Sequence, residues 1–360
     1  MARLEYVSVA VFTVVTVVSS VVNSIAFVRI AQVMRSTSDI AFIVLCTTLI
    51  YSFIYLVIAL LVVPKTEKRW DLGRAYALLG FLMGAGALLA QFSDLYVAGS
   101  YQSIFNTMSF PVTCIVMRYA VTGRPFQIAQ LRSFGLVGLG IILVTVMPFI
   151  QPTKDNEGPT TLVGSIVYIA GVIIGTSGPD LLQQRLTAKP FSVNIWQQLA
   201  MGNVLSLPWI MLTPFVGAIV RGSFVKEFNG LAKSWDCFFE FRPLPDTCSP
   251  GAAIWIMTYN ITYVIMYYCR TFLMKKLSVV YLSLVDALIV PITTLFFVIP
   301  SLGGEKITWY LIVGLLLVVA GVLVYREPPP TLEETYLLPM ERTLSRTLDV
   351  AEVNRLLSAY

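Results

Sequence analysis

Long apolar runs are the feature that most restricts what this chain can fold into. They recur along most of its 360 residues, and each is about 20 residues long, enough to cross a bilayer as a helix. Only 12% of the residues are charged, against roughly 25% in soluble domains. We therefore predict an all-α integral membrane protein with ten transmembrane helices. The predicted spans are residues 6–28, 40–63, 75–95, 100–119, 133–150, 162–182, 193–220, 252–268, 277–299 and 307–324.

A stretch of the first half recurs, in outline, 180 residues later. The matching positions are Tyr101 and Tyr281, Ser103 and Ser283, Asn106 and Asp286, Pro111 and Pro291, and Thr113 and Thr293. Each half then holds five spans. Because five is an odd number, the second repeat enters the membrane from the opposite side and is inverted relative to the first. The sequence thus predicts two inverted five-helix repeats. Its three predicted units are a first repeat (1–150), a second repeat (151–325) with a lumenal loop (221–250), and a cytosolic C-terminal tail (326–360).

The distribution of lysine and arginine predicts the orientation, because cytosolic loops carry an excess of both. If the N-terminus is cytosolic, 13 basic residues fall on the inner side: Arg3, Lys65, Lys68, Arg69, Arg74, Arg118, Arg124, Arg132, Arg185, Lys189, Arg270, Lys275 and Lys276. The short outer loops then hold four, namely Arg29, Arg35, Lys154 and Lys306. Both ends of the chain are therefore expected in the cytosol, and residues 221–250 on the lumenal side.

The predicted lumenal loop contains Cys237 and Cys248. Disulfides form in such compartments, so we predict a bridge between them; the alternative is two unpaired thiols. Earlier in the loop, apolar residues recur at helical spacing, which predicts an amphipathic helix on the membrane surface or capping the bundle. These residues are Phe224, Phe228, Leu231 and Trp235.

The predicted tail contains two acidic dileucine patterns that resemble sorting signals for lysosome-like organelles. Their key residues are Glu333, Leu337 and Leu338, then Glu352, Leu356 and Leu357. The alternative is an amphipathic helix without a sorting role. If they are signals, sorting adaptors are expected partners.

Several classes of chemistry have no support in the sequence. The chain has no histidine, which removes histidine-based acid–base catalysis and histidine metal ligands. Its five cysteines include no CxxC pair, so no zinc or redox motif is indicated. We expect no enzyme activity, no cofactor, no metal site and no nucleic-acid partner. The expected partners are the lipid bilayer and a small solute.

Polar side chains inside the predicted spans suggest a cleft between the two halves, because such residues usually face a cavity or another helix. Small hydroxyls also bond back to their own helix, so the amides and the carboxylate are more informative. The predicted substrate-binding residues are Asn23, Ser24, Gln102, Asn106, Ser109, Gln198, Asn260, Tyr263 and Asp286.

Asp286 is predicted to be the one carboxylate well inside a span. It would exchange a proton during transport or neutralise a cationic substrate; the alternative is a structural hydrogen-bonding role. Asp94 and Asp180 are expected at solvated helix ends. No lysine or arginine is expected deep in a span, so a phosphate-binding clamp has no support.

Residues 99–103 (Gly-Ser-Tyr-Gln-Ser) followed by Ser109-Phe-Pro111 resemble the helix 3–4 signature of the chloroquine-resistance-transporter-like family, within the drug/metabolite transporter superfamily. Further similarities are Val22-Asn-Ser24, residues 191–198, the cysteine-bearing loop and Tyr325-Arg326. The resemblance implies ten helices in two inverted repeats, with helices 1–4 and 6–9 around a central cavity. It also implies transport of amino acids, small peptides or thiols across vacuolar, lysosomal or plastid membranes.

The resemblance places Asn23 and Ser24 at a cavity-facing position that tunes which cations pass. The chain departs from the family in two ways. It has two loop cysteines where the family's best-known member has four. It also has Leu82-Met-Gly84 where that member has an acidic residue. Coupling and charge preference are therefore expected to differ.

The expected function is that of a secondary transporter working by alternating access, coupled to protons, for a small polar or cationic metabolite in an endomembrane. One alternative within the same superfamily is a sugar-phosphate or nucleotide-sugar exchanger. Another, from a different class, is a membrane receptor or scaffold without transport.

Overall fold

A computed structural model describes residues 2–34, 37–64, 70–94, 97, 99–118, 125–150, 158–187, 192–239, 251–299 and 308–325, and its regular structure there is entirely helical. The helices are α1 (Ala2–Met34), α2 (Thr37–Val62), α3 (Gly73–Asp94), α4 (Gly99–Asn106), α5 (Ser109–Val116), α6 (Ile128–Ile150), α7 (Gly158–Val172), α8 (Gly178–Thr187), α9 (Ile195–Ile210), α10 (Thr213–Arg221), α11 (Phe224–Phe239), α12 (Ala252–Lys276), α13 (Val279–Val298) and α14 (Trp309–Val324). A short 3₁₀ turn (Trp70–Leu72) precedes α3, and a π-helical segment (Ile173–Ser177) joins α7 to α8.

Seven helical segments in the described part of the chain are long and apolar enough to cross a membrane. They are Val7–Ile30, Ala41–Val62, Gly73–Ala90, Ile128–Pro148, Leu162–Thr187, Ile195–Ile219 and Val279–Phe297. Large apolar side chains such as Val14, Leu61 and Leu295 point outwards from them. The protein is therefore a multi-pass integral membrane protein in contact with lipid.

The three remaining predicted spans are helical, but each is either shorter or less apolar than these seven segments. One is the shorter apolar helix Trp309–Val324. The second is α12, which carries tyrosine, asparagine and arginine side chains. The third is divided into α4 and α5 by a turn at Thr107 and Met108.

The break between α4 and α5 follows from Pro111 and two hydroxyls. Proline cannot donate to the carbonyl four residues earlier, here that of Thr107, and Phe110 N–H donates to it instead. The hydroxyls of Thr107 and Ser109 also donate to preceding backbone carbonyls. The matching positions of α13 hold Ala287 and Ile289, which lack hydroxyls, and α13 continues through Pro291.

Contacts along α1, α2 and α12 show which helix ends lie together. Phe12 stacks on Phe272 with ring centroids 4.1 Å apart, whereas Phe27 lies 5.9 Å from Tyr259, so α1 and α12 are antiparallel. At the start of α2, Phe42 packs against Trp235 of α11. The end of α1 and the starts of α2 and α12 therefore lie at one end of the bundle, which we call the α11 end.

Glycines allow two helix pairs to approach closely. A Cβ placed on Gly86 of α3 overlaps Gly175 in the π-helical segment, and a Cβ on Gly140 of α6 lies 2.7 Å from the Gly314 carbonyl of α14. Backbones that touch in this way are common where membrane helices cross. In this way α6 packs closely on α14.

The amphipathic helix predicted for residues 221–250 is present as α11. Phe224, Phe228 and Trp235 are exposed on it, while Glu227 is buried. Cys237 is also buried, but Cys248 lies outside the described residues, so the disulfide stays a prediction. The tail at 326–360, with both dileucine patterns, lies outside them as well.

The Gly86 contact gives a stability prediction. Gly86→Ala should destabilise the protein by about 1–3 kcal/mol, because the added methyl group overlaps backbone that cannot move aside. Gly138→Ala is the matched control, since a Cβ there meets nothing within 4 Å. Apparent melting temperatures of both variants in one detergent test this, and equal values would contradict the close approach.

The cysteine prediction is tested in protein from its native membrane. Mass spectrometry of non-reduced digests should show the peptides of Cys237 and Cys248 linked, because the loop is expected in an oxidising compartment. Cys269, a free and buried cysteine of α12, is the internal reference for an unlinked thiol. Two alkylatable thiols at 237 and 248 would exclude the bridge.

Candidate functional site: a polar cavity with a buried Asp–Arg–Asp triad

A cavity of about 400 Å³ lies inside the bundle, towards the α11 end. Its lining comes from the second half of α1 (Ser20 to Val28) and the first half of α2 (Val44 to Tyr51). It continues along α3, α4, α7, α9, α12 and α13 to a floor formed by Asp180, Arg270 and Asp286. Beyond that floor the space is filled by buried apolar side chains, among them Leu273 and Leu282.

The cavity brings together most of the predicted binding residues. Those that line it are Asn23, Ser24, Gln102, Asn106, Ser109, Tyr263 and Asp286. Gln198 and Asn260 are not among the lining residues; both are almost fully buried between helices. Neither amide atom of Gln198 has a hydrogen-bond partner among the described residues.

Several lining residues also tie helices together. Asn23 Nδ2 donates to the Tyr259 carbonyl at 2.9 Å and to Thr262 Oγ1 at 3.2 Å, which links α1 to α12. The Tyr168 hydroxyl donates to Asn106 Oδ1 at 3.2 Å, which links α7 to the end of α4. Ser24 instead donates to the Ser20 carbonyl of its own helix.

Arg270 lies between two carboxylates at the cavity floor. Its Nη1 donates to Asp286 Oδ1 at 2.5 Å, and its Nη2 donates to Asp180 Oδ2 at 3.1 Å. The three side chains come from α12, α13 and α8. Arg270 is 8% exposed and Asp180 5% exposed. We call these three residues the triad.

The triad corrects two predictions. Arg270 was expected in a cytosolic loop, but α12 continues to Lys276. Without Arg270, twelve basic residues on the inner side against four on the outer side still favour the predicted orientation.

Asp180 was expected at a solvated helix end. Instead, α7, the π-helical segment and α8 form one uninterrupted helical stretch, so Asp180 lies inside it. A buried charge is tolerated when it is paired, and the partners here come from other helices.

The triad lies well inside the bundle. Arg270 precedes the end of α12 by six residues, and Asp286 follows the start of α13 by seven. At about 1.5 Å per residue, both are roughly 10 Å from the helix ends opposite α11. A solute that enters the cavity from the α11 end therefore reaches the triad last.

The charge of the triad does not balance. Two carboxylates and one guanidinium leave a net charge of −1 when all three are ionised, and they are the only charged residues among the described cavity lining. An uncompensated charge in a low-dielectric interior is costly. A proton on one carboxylate, or a cation bound at the floor of the cavity, would remove this excess charge.

Tyrosines form the cavity wall that leads to the triad. Tyr259, Tyr263 and Tyr267 follow one another at intervals of four along α12 and so share a face. Tyr51 of α2 stacks on Tyr263 at 4.1 Å, and Arg270 Cζ lies 5.7 Å from the centre of the Tyr267 ring. Aromatic faces stabilise cations. Arg270 follows Tyr267 by three residues and so lies on the same face; this spacing is the sequence signal that could have placed Arg270 at the cavity.

Asn203 of α9 is a further lining residue that was not among the predicted binding residues. It is 1% exposed, its Nδ2 donates to the Leu199 carbonyl, and its Oδ1 has no partner among the described residues. Ser20 Oγ, also in the cavity wall, has no partner there either. Both oxygens are unused hydrogen-bond acceptors in residues of the cavity wall, although the atoms themselves have almost no exposed surface.

Comparisons with known proteins support the fold only. No protein-family model matches the chain, and no curated protein does. A solved crystal structure of a protein superimposes with a TM-score of 0.51 at 12% sequence identity, covering 88% of this chain and 96% of that one. The same helical arrangement therefore occurs in a solved structure of nearly the same extent.

The position of Ser24 gives a prediction about access to water. Ser24→Cys should react rapidly with a charged, membrane-impermeant thiol reagent, because residue 24 lines a polar cavity. Val18→Cys is the matched control on the same helix, since Val18 is 56% exposed on the outer surface of the bundle and would be covered by lipid. Labelling is measured above the signal of the parent protein's own thiols, and equally slow labelling at both positions would place Ser24 outside the cavity.

Proposed function

We propose that this protein is a secondary transporter that moves a small polar or cationic metabolite across an endomembrane by alternating access. The observation that carries the proposal is the cavity of about 400 Å³ with the triad as its floor. Ionisable side chains inside membrane proteins are costly and usually mark a solute or proton pathway. A receptor or scaffold has no need of such a site.

The proposed architecture is ten spans in two inverted five-helix repeats. It is supported by the positions of Asn106 and Asp286, which match across the 180-residue offset and both line the cavity. In transporters built from inverted repeats, the solute site lies at the repeat interface, where helices are discontinuous. The break after Asn106 and the π-helical segment at 173–177 are such irregularities.

The proposed solute is an amino acid, small peptide or thiol that carries a positive group. The net charge of the triad supports a cation, and the tyrosine wall supports it further. We also propose that the protein belongs to the drug/metabolite transporter superfamily and acts in a vacuolar, lysosomal or plastid membrane, on the basis of its resemblance to the chloroquine-resistance-transporter-like family.

A sugar-phosphate or nucleotide-sugar exchanger is the second candidate, and Arg270 is the observation in its favour. A guanidinium in the cavity is what an anionic solute requires. However, two of its nitrogens already donate to Asp286 and Asp180. A phosphate would have to displace a carboxylate, so the cationic solute remains the better proposal.

The transport proposal is tested by reconstitution. Purified protein in proteoliposomes, given a mixture of amino acids, small peptides, glutathione and glucose 6-phosphate under two opposite pH gradients, should accumulate a cationic member of the mixture. Mass spectrometry of the vesicle contents measures this against protein-free liposomes. Accumulation of glucose 6-phosphate would favour the exchanger, and no accumulation would reject both transporters.

Asp286 is proposed to couple protons to the solute. Asp286→Asn should lose accumulation driven by the pH gradient, falling to the level of protein-free liposomes, because its neutral amide can neither release a proton nor pair with a cation. Asp236→Asn on α11, away from the cavity, is the control and should transport normally. A folded Asp286→Asn protein with normal gradient-driven uptake would reject the coupling role.

A further inference from the structure

We propose that Asp180, Arg270 and Asp286 together form a site for one exchangeable monovalent cation, occupied by either one proton or one cationic group of the solute. The inference deepens the proposed transport function and rests on it only for the coupling ratio. It gives Asp180 and Arg270 roles of their own, whereas proton coupling by Asp286 alone would need neither residue.

The first step is a count of charges. With all three side chains ionised, the empty site has a net charge of −1; one monovalent cation makes it neutral, and a second makes it +1. Both charged states place an unbalanced charge among buried residues, which is costly. The neutral site with one bound cation is therefore favoured over both the empty site and the site with two cations. Arg270 thus acts as a tethered cation that makes a pair of carboxylates bind one charge rather than two.

The second step assigns different parts to the two carboxylates. The Asp286 side chain is 17% exposed, whereas that of Asp180 is 6% exposed. Because this exposure is to the cavity, an entering cation meets Asp286 first. Asp180 is the inner partner that keeps Arg270 in place. We infer that Asp286 exchanges its cation while Asp180 positions the guanidinium.

The third step concerns the other groups that face the triad. On α12 these are the phenols of Tyr263 and Tyr267, which stay neutral at physiological pH. On α8, Gln183 lines the cavity and accepts a hydrogen bond from Thr271. No other charged side chain lines the described cavity. The balance at the floor is therefore set by the triad alone.

The fourth step is the presence of unused hydrogen-bonding atoms in the same cavity. Asn203 Oδ1 and Ser20 Oγ are buried acceptors without partners among the described residues. Unsatisfied buried acceptors are costly, and an ammonium or guanidinium group brings several donors. These atoms are an observation independent of the triad, and a ligand that donates hydrogen bonds would reach them once the two side chains turn towards the cavity.

The consequence is exchange at a ratio of one to one. When the cationic group of a solute pairs with the site, the proton that neutralised it leaves, and the site stays neutral in both loaded forms. A solute with one positive charge thus exchanges for one proton. The empty site keeps its charge of −1 and is the form least suited to reorientation.

The test uses dicyclohexylcarbodiimide, which modifies protonated carboxyl groups in apolar surroundings, with adducts located by peptide mass spectrometry. Within the triad, wild-type protein should carry one adduct per chain, mainly at Asp286, because modification of one carboxyl leaves the other paired with Arg270. Arg270→Gln should carry adducts on both. Asp286→Asn should carry none at Asp180, since that pair is already neutral.

The double variant Arg270→Gln/Asp286→Asn is the decisive case, because it restores the wild-type charge of −1 and should again carry one adduct, at Asp180. It also remains informative if a single variant fails to fold. Arg185→Gln is the matched control: Arg185 is an exposed arginine of α8 outside the triad, and its loss should leave one adduct per chain. Melting temperatures establish which variants are folded.

Two adducts or none within the triad of wild-type protein would overturn the single-cation site, as would labelling of Asp180 in a folded Asp286→Asn protein. The double variant without an adduct would overturn it too. Labelling does not require transport. One adduct in a protein without uptake would keep the site and reject the transporter, whereas uptake with two adducts would keep the transporter and reject the site.

Discussion

Arg270, held between Asp180 and Asp286, is the interaction on which the rest of the site depends. It joins α12 to α8 and α13, and two glutamines of α8 add links beside it. Gln183 accepts from Thr271, and Gln184 Oε1 accepts from the Val279 backbone N–H at the start of α13. Removing one partner of a buried ion pair typically costs about 3–5 kcal/mol. These three helices are therefore expected to move as a unit.

Above the floor, towards the α11 end, the shape of the cavity depends on irregular backbone instead. The turn between α4 and α5 and the π-helical segment between α7 and α8 lie against each other, since Ser177 Oγ donates to the Ser109 carbonyl. Gly86 and Gly175 bring α3 onto the same segment. Irregular backbone at membrane depth is tolerated where protein or a cavity covers it. Asp180 follows this segment by three residues, so the irregular region and the triad are adjacent along one helical stretch.

The chemistry of the cavity changes along its length. Towards the α11 end it presents amides and hydroxyls such as Asn23 and Ser24, then the tyrosine faces of α2 and α12, and finally the triad. Under the proposed transport function, a polar solute with a positive group would meet hydrogen bonds first and its counter-charge last. This arrangement suits a solute site better than a purely structural ion pair, which would not need a polar approach.

The sequence by itself determined the helical membrane fold, because the length and apolarity of a span are local properties. The same holds for most cavity positions: a polar side chain such as Asn23 or Asn106 inside an apolar run has few places to lie. Only the tertiary structure decided the triad. Local composition suggested that the helix containing Arg270 ended near Tyr268, since an arginine in lipid is unfavourable. The carboxylates that make Arg270 acceptable lie 90 and 16 residues away on other helices, and charge neutralisation at that distance exists only once the helices have packed.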